Sequence, residues 1–343
     1  MESRRDAVRT TAGAVRVRSF RDEDYAHLAS IGTASFPDSP VSEAEIRHND
    51  GAWDHGRYWL VRFVAEEPSG EVVGTGRMSH MAYEFHPQKY LMFLTVHPDR
   101  RRRGVGSILF DHVLTELNAR SATAVRTWVQ KETMTDSVEF LSHRGFREVQ
   151  RGWESRLDVA GFDAARFAGA EERAVGQGIT LTTLAAARER DPEALRRIYG
   201  MINAILPDAP AVDQITPVTY EQWLGFDVET PKALPDAFFL AKDGARYVGL
   251  SFLQRRLEQP EVLQQELTGV LREYRGKGIA MALKLQTVKY ARAHGYREIR
   301  TGNDTRNRPM LRINEAMGFV KQPAAITFEK ALPGKDSLNP AVE

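Results

Sequence analysis

Two glycine-bearing loops of one spacing, 174 residues apart, restrict what this 343-residue chain can fold into. The first stands in VHPDRRRRGVGSILF and the second in VLREYRGKGIAMALK. Both fit R-x-x-G-x-(G/A). Val96 matches Val270, Arg101 matches Arg275, and Gly104 matches Gly278 at that offset. Further on, Gly145-Phe146 matches Gly318-Phe319 with a slip of one residue. An offset held over roughly 50 residues is the mark of an internal repeat. At about 150 residues per domain, the length also suggests two domains.

Composition narrows the function classes. Hydrophobic residues make up 42% and charged residues 27%, as in a soluble globular chain. The formal net charge is +1, which gives no electrostatic reason to expect nucleic acid or an anionic membrane as partner. No window approaches the ~20 apolar residues that span a bilayer. The N-terminal MESRRDAVRT lacks an apolar stretch, so no secretory signal is expected and the cytoplasm is the default location. There is no cysteine, which removes disulfides, thiolate metal sites and any Cys nucleophile of the chain's own. No metal is called for.

Periodicity gives each half the same order of elements. In the first half, residues 15–18 alternate as a strand, and Asp22 is expected to cap a helix reaching Thr33. Strands are expected at Tyr58–Glu66, Glu71–Met81 and Gln88–Val96, a helix from about Gly104, a strand at Ala124–Val129 and a helix at Ser137–His143. Gly145 fits the C′ position of that helix, and short strands at Arg147–Val149 and Trp153–Asp158 close the half. The segment Ala160–Gly178 reads as a linker or connecting helix. In the second half, Ile179–Thr183 reads as a strand and Asp191–Ile205 as a helix, with Asp191 at N-cap and Pro192 at N1. Strands at Asp236–Lys242, Tyr247–Arg256 and Glu261–Val270 follow, then a helix Gly278–His294, a strand Glu298–Asn303 and a helix Met310–Ala316. Residues after Leu332 read as a loose tail. The expected organisation is a first domain over 1–160, a linker over 161–178, a second domain over 179–331 and a tail over 332–343.

The loops themselves suit phosphate. Each follows a strand and opens a helix, whose N-terminus offers unpaired N–H groups and partial positive charge. Gly104, Gly106 and Gly278 let backbone approach a ligand, and Ala280 is the smallest substitute for the last glycine. Successive N–H groups in such a turn form an anion nest, and Arg101 and Arg275 add a rigid donor fork. A Walker loop, which needs G-x-x-x-x-G-K-(S/T), is absent. A dinucleotide loop would follow the first strand of a parallel unit, whereas these follow the fourth strand of an antiparallel meander. The run Arg100–Arg103 lacks the interleaved aromatics of a nucleic-acid surface.

With these loops in place, the sequence resembles the GNAT superfamily over Val15–Asp158 and Ile179–Lys330. The tandem arrangement resembles the mycothiol-synthase-like group of two-domain actinobacterial acyltransferases. The resemblance implies an α/β (α+β) fold: two GNAT-like domains in tandem, each a mixed, mostly antiparallel twisted sheet flanked by helices. It implies acetyl-CoA, or another acyl-CoA, as cosubstrate, with its pyrophosphate in the loop and its thioester in a V-shaped opening between the fourth and fifth strands. The implied CoA-binding residues are Leu94, Thr95, Val96, Arg101, Arg102, Arg103, Gly104, Val105, Gly106 and Ser107 in the first half. In the second they are Thr268, Gly269, Val270, Arg275, Gly276, Lys277, Gly278, Ile279, Ala280, Asn303 and Asn307. Backbone at Val96 and Val270 would hold the acyl carbonyl.

The chemistry around the two loops differs. An alkyl ammonium with pKa about 10 needs a base before it attacks a thioester. Glu266 lies four residues before Val270, and even spacing along a strand puts the two on one face, so Glu266 is the candidate base. Met92 holds the matching place in the first half by the loop offset, and Gln264 could only orient. The sulfur-supporting tyrosine common in GNAT proteins is replaced by Leu141 and Asn314. Asn314 can donate a hydrogen bond but no proton. Met134 stands where the second half has Asn307.

The expected activity is acyl transfer from CoA thioester to a primary amine of a small molecule, by direct attack in a ternary complex. Chemistry is expected in the second domain, with the first binding acyl-CoA as a structural site. The alternative is an acyl-CoA-binding sensor or scaffold without turnover. A small amine, an antibiotic or its precursor, an amino-sugar thiol precursor and a peptide N-terminus are all open as acceptor. Tyr83, Glu84, His86 and Trp223 are candidates to line its surface. A monomer or homodimer, without nucleic acid or membrane, is expected.

Overall fold

The computed structural model describes residues 15–333. The N-terminal stretch and most of the C-terminal tail read from the sequence lie outside the described residues. In chain order the elements are β1 (Arg16–Ser19), α1 (Asp24–Ser35), α2 (Glu43–Gly51), β2 (Leu60–Glu66), β3 (Val72–Ser79), β4 (Lys89–Val96), α3 (Val105–Ala119), β5 (Ala124–Val129), α4 (Thr135–Ser142), β6 (Arg147–Asp158), α5 (Ala170–Val175), β7 (Ile179–Thr183), α6 (Leu184–Arg190), α7 (Ala194–Ile205), α8 (Tyr220–Trp223), β8 (Ala233–Asp243), β9 (Arg246–Arg255), β10 (Val262–Val270), α9 (Ile279–Ala293), β11 (Glu298–Asp304), α10 (Arg308–Met317), β12 (Val320–Lys321) and β13 (Ala325–Ala331).

All strands join one sheet in the order β1-β2-β3-β4-β5-β13-β6-β11-β10-β9-β8-β7, with β12 beside β6. The order reads as two mirrored runs meeting at β13 and β6. Each half's fifth strand pairs with the other half's closing strand: β5 with β13, and β11 with β6. Pairing is antiparallel except β4 with β5 and β10 with β11. Those two parallel pairs are short, Lys89–Leu91 against Ala124–Arg126 and Val262–Gln265 against Glu298–Thr301. Beyond them the strands diverge, so each half has a splay on the loop side.

The cores interlock in the same way. Ile326 and Phe328 of β13 bury in the first half's core with Phe110, Leu109 and Val125. Leu157, Val159, Tyr58 and Trp53 bury in the second half's core. Arg126, with only 4% of its side chain exposed, binds Glu84, Asp213 and Glu329 at 2.7–2.9 Å. Its repeat mate Arg300 donates to the Asp38 carbonyl of the first half at 2.7 Å.

Several local expectations change. The two short strands at 147–149 and 153–158 are one continuous β6. Gly152 is the residue where β6 leaves β13 and takes β11, pairing with both Ala325 and Asp304. A Cβ there would meet the Asn303 carbonyl at 3.1 Å, so the glycine allows a close approach of backbone. Asp22 does not cap α1 but pairs with Arg47. Asp24, fully buried at the first turn, accepts from the Arg21 N–H and from Arg18. Asp191 ends α6 and accepts from Glu193 N–H, and α7 begins at Ala194. The segment read as a linker contains α5, which packs on α9. The ends of α4 and α10 agree with the glycine reading. Phe146 N–H bonds the Leu141 carbonyl and Phe319 N–H the Asn314 carbonyl, with Gly145 and Gly318 at positive φ in two copies of one Schellman turn.

Candidate active site

The two loops share one backbone path. Gly104 and Gly278 have φ of +85° and +77° and stand as N-caps of α3 and α9. Arg102 and Gly276, two residues earlier, have φ of +62° and +78°. The first loop thus holds an arginine in the left-handed region where the second has a glycine, a strain that a ligand-binding turn tolerates. In both loops the arginine folds back on its own strand: Arg101 Nε donates to the Val96 carbonyl at 3.2 Å and Arg275 Nε to the Val270 carbonyl at 3.1 Å. Each arginine is thereby anchored to the strand that leads into its own loop.

A cleft of about 490 Å³ opens in the splay of the first half. Its wall includes Leu94, Thr95, Val96, Arg101, Arg102, Gly104, Gly106 and Ser107, eight of the ten residues expected there. Met92, Met134 and Leu141 also line it. Val105 is buried beneath, and Arg103 is exposed. In the second half Arg275 is engaged on its outer edge, with Nη2 bound to Asp208 at 2.6 Å, and Arg272 holds the same carboxylate.

The strand before the second loop carries a β-bulge that its counterpart lacks. On β9 and β10, Gln265 faces Leu253 and Thr268 faces Ser251, so three steps on β10 oppose two on β9. On β3 and β4 the ladder runs unbroken from Ser79–Leu91 to Gly74–Val96. The sequence reading that placed Glu266 and Val270 on one face is corrected by this bulge. Gln265 and Thr268 both bond Ser251 and so share a face, and Val270 follows Thr268 by regular alternation. Glu266 points to the opposite side. Val262 opposes Glu298 and Lys89 opposes Ala124, so the counterpart of Met92 is Gln265. Between Gln265 and Thr268 the second half has two residues, Glu266 and Leu267, where the first half has Phe93 alone.

On its side of the sheet Glu266 borders a cavity of about 200 Å³ between the halves. Ser39, Val41 and Glu45 come from the first half; Lys232, Gln254, Arg256 and Gln264 come from the second. Burial holds the Glu266 carboxyl above the usual carboxylate range, against the pull of Lys232 and Arg256. Among the described residues it has no hydrogen-bond or ion-pair partner. Asp227 lies in a single π-turn, Leu224–Val228, tied to β9 by Gln254 Nε2 donating to the Phe226 carbonyl at 3.1 Å. Burial, with the charge of Glu266, pushes its carboxyl up to about 7. Sequence reasoning missed Asp227, and the π-turn has no motif that would have shown it.

The remaining candidates divide. Asn303 and Asn314 meet, with Asn314 Nδ2 donating to Asn303 Oδ1 at 2.6 Å. Asn314 is 2% exposed and its Oδ1 has no partner. Asn307 caps α10, its Oδ1 accepting from Met310 N–H. Tyr83 is 37% exposed and forms no hydrogen bond with either carboxylate among the described residues; desolvation, then the charges of Asp227 and Glu266 among others, raise its hydroxyl pKa. Glu84 serves the Arg126 cluster, His86 accepts from Gln88 N–H, and Trp223 is core. No group of three metal-ligating residues occurs among the described residues. No helix among them is long and apolar enough to cross a membrane.

Known proteins share this fold. The family described as Acetyltransferase (GNAT) family matches residues 15–146 and 198–319. The chain belongs to the GNAT acetyltransferase family. Among curated relatives, mycothiol acetyltransferase of Actinosynnema mirum is 27% identical over 68% of this chain and 73% of its own length. That of Amycolatopsis mediterranei is 24% identical over 81% and 85%. Among solved structures, a GCN5-related N-acetyltransferase from Sphaerobacter thermophilus covers 92% of this chain and 95% of its own, at TM-score 0.67 and 19% identity. A tandem GNAT protein from the clavulanic acid biosynthesis pathway covers 93% and 98%, at TM-score 0.67 and 18% identity. These likenesses carry the fold: this GNAT chain is a tandem acetyltransferase, and the family's cosubstrate is acetyl-CoA.

Proposed function

We propose that this tandem GNAT protein moves an acetyl group from acetyl-CoA to the primary amine of a small polar molecule, and that the second half performs the chemistry. The observation that carries the reading is the bulge of β10. It gives the second half a carboxylate, Glu266, that burial holds above the usual carboxylate range and that has no partner among the described residues, beside a polar cavity at the junction of the halves. The acceptor amine enters that cavity as an ammonium. Glu266 takes its proton, directly or through water. The free amine attacks the thioester carbonyl from the other side of the strand, a C–N bond forms, and the C–S bond breaks. A raised carboxyl pKa suits a base working near neutrality.

The first half keeps the glycine loop and an open cleft lined by Met92, Leu94 and Leu141, whose titratable groups, Asp136, Glu139 and His143, are all exposed rather than buried. We assign it a bound acyl-CoA that does not turn over. The cavity lining of Glu45, Gln254, Gln264 and Lys232 fits a hydroxylated or amide-bearing amine better than an apolar one. The mycothiol acetyltransferase relatives make a sugar-linked amine the first acceptor to try.

The test is CoA release from acetyl-CoA across a panel of amines as pH is varied. A rate that rises through a pH above the ordinary carboxylate range, and a Glu266→Gln variant that loses that rise, support the reading. Acetyl-CoA binding with no release for any amine would favour a CoA-binding sensor.

A further inference from the structure

The side of β10 away from Glu266 carries an unbroken polar chain. Lys284 of α9 is 1% exposed, forms no ion pair among the described residues, and donates from Nζ to Gln265 Oε1 at 2.6 Å. Gln265 Nε2 donates to Ser251 Oγ at 2.7 Å, and Ser251 Oγ meets Thr268 Oγ1 at 2.7 Å. Gln265 is 2% exposed and Ser251 fully buried, whereas Thr268 is partly open.

The chain has a direction. An ammonium can only donate, so Lys284 holds the Gln265 amide with its oxygen inward and its NH₂ toward Ser251. Ser251 then accepts from Gln265, and its own hydrogen has Thr268 Oγ1 as acceptor. Thr268 accepts in turn, so its hydrogen is free for a group outside the chain. Burial lowers the Lys284 pKa to about 7, and even the neutral amine keeps N–H donors.

The first half shows where that hydrogen points. Met92, Leu94 and Val96 line its cleft, and by strand register their mates are Gln265, Thr268 and Val270. Thr268 therefore faces the second splay one alternation inward from the loop strand's end. A CoA with its pyrophosphate at Arg275–Ala280 and its arm along the splay brings its thioester end past Thr268. The mates in the first half are apolar: Leu94 for Thr268, Met92 for Gln265 and Phe110 for Lys284.

We propose that Thr268 donates a hydrogen bond to the departing sulfur of CoA, and that Lys284, through Gln265 and Ser251, is the positioning residue that keeps the Thr268 hydroxyl turned to donate. The inference rests on the reading that the second half performs transfer. When the C–S bond breaks, its electron pair stays on sulfur and Thr268 supports that charge. The ammonium proton goes to Glu266, and the thiolate takes a proton from water on release. The support that a tyrosine hydroxyl would give comes instead from a threonine hydroxyl oriented from the core.

The chain has no cysteine, so the CoA thiol is the only thiol present, and its thiolate absorbance is read as the difference from the same titration without CoA, which removes the tyrosinate background of the chain. The measurement titrates CoA bound to the Gly104→Glu chain, which confines CoA to the second half. Thr268→Val and Lys284→Met should each raise the bound thiol pKa by about one unit, and Thr268→Ser should not. The double variant should be no worse than either single, because the two act on one hydrogen bond. In turnover the same variants should lower kcat about 10-fold with the KM for acetyl-CoA unchanged. If Lys284→Met fails to fold, the Thr268→Val and Thr268→Ser pair still decides. An unchanged thiol pKa in Thr268→Val, or additive effects in the double variant, overturns the inference. A shifted thiol pKa with unchanged turnover leaves the hydrogen bond standing and overturns the assignment of chemistry to the second half.

Discussion

Gln265 in the second half occupies the strand position that Met92 occupies in the first. Both are buried and both face the helix that follows the glycine loop. Glu266 and Leu267 follow Gln265 where the first half has Phe93 alone. A single insertion thus turns one side of β10 into a carboxylate site and keeps the other in register with the loop.

Asp227 should make stability depend on pH. Its carboxyl titrates near 7 in the folded protein against an ordinary value of 3.8. Between those values the unfolded chain has released a proton that the folded protein keeps. Stability is therefore lost as pH rises through that window, and the full cost is present above it. Asp227→Asn should raise Tm at pH 8 and leave it unchanged near pH 3.5, as calorimetry at the two pH values would show. A gain of equal size at both would refute the assignment.

If the second loop takes the pyrophosphate as proposed, Asp208 competes for its arginines. It binds both Arg272 and Arg275 across an exposed surface. Asp208→Ala should tighten acetyl-CoA binding about 2- to 5-fold at low salt, with the gain fading as salt is added. Isothermal titration in the Gly104→Glu background reads this directly.

The exchanged strands should make the halves interdependent. A chain ending at Gln322 loses β13, which lies between β5 and β6 and buries Ile326 and Phe328. Those two side chains alone are worth about 3–6 kcal/mol. The truncated protein should melt far lower, with the first half's signal lost first in hydrogen exchange. Unchanged protection of β5 would mean that the exchange is dispensable.

Arg126 is the charged counterpart of that exchange. Arg126→Met leaves Glu84, Asp213 and Glu329 facing one another in a mostly buried site. Removing one partner of a buried network costs about 3–5 kcal/mol, measurable by urea unfolding. The loss should shrink at low pH, where the carboxyls are protonated.

The repeat, the loops and the element order were legible because each leaves a periodic or spaced signal. Gly104 and Gly278 revealed their loops since a positive φ before a helix restricts the residue type. What was illegible depends on partners distant in sequence. The exchange of β6 and β13 leaves no local pattern, and β6 read as two short strands because the partners of its two ends lie far along the chain. Alternation predicts faces only for an unbroken strand, so the bulge reversed the expected side of Glu266. The polar chain from Lys284 was hidden because a lysine within an amphipathic helix reads as exposed.

The central claim is that acetyl transfer belongs to the second half and depends on the bulge residue. Turnover of acetyl-CoA by Glu266→Gln and by Gly104→Glu, both shown folded by circular dichroism, tests it most directly. Glu266→Gln should lose about 100-fold or more in kcat, the range for removing a general base, while Gly104→Glu stays within a few-fold of the unaltered protein. Loss of turnover in Gly104→Glu, with Glu266→Gln still active, would contradict the claim and move the chemistry to the first half.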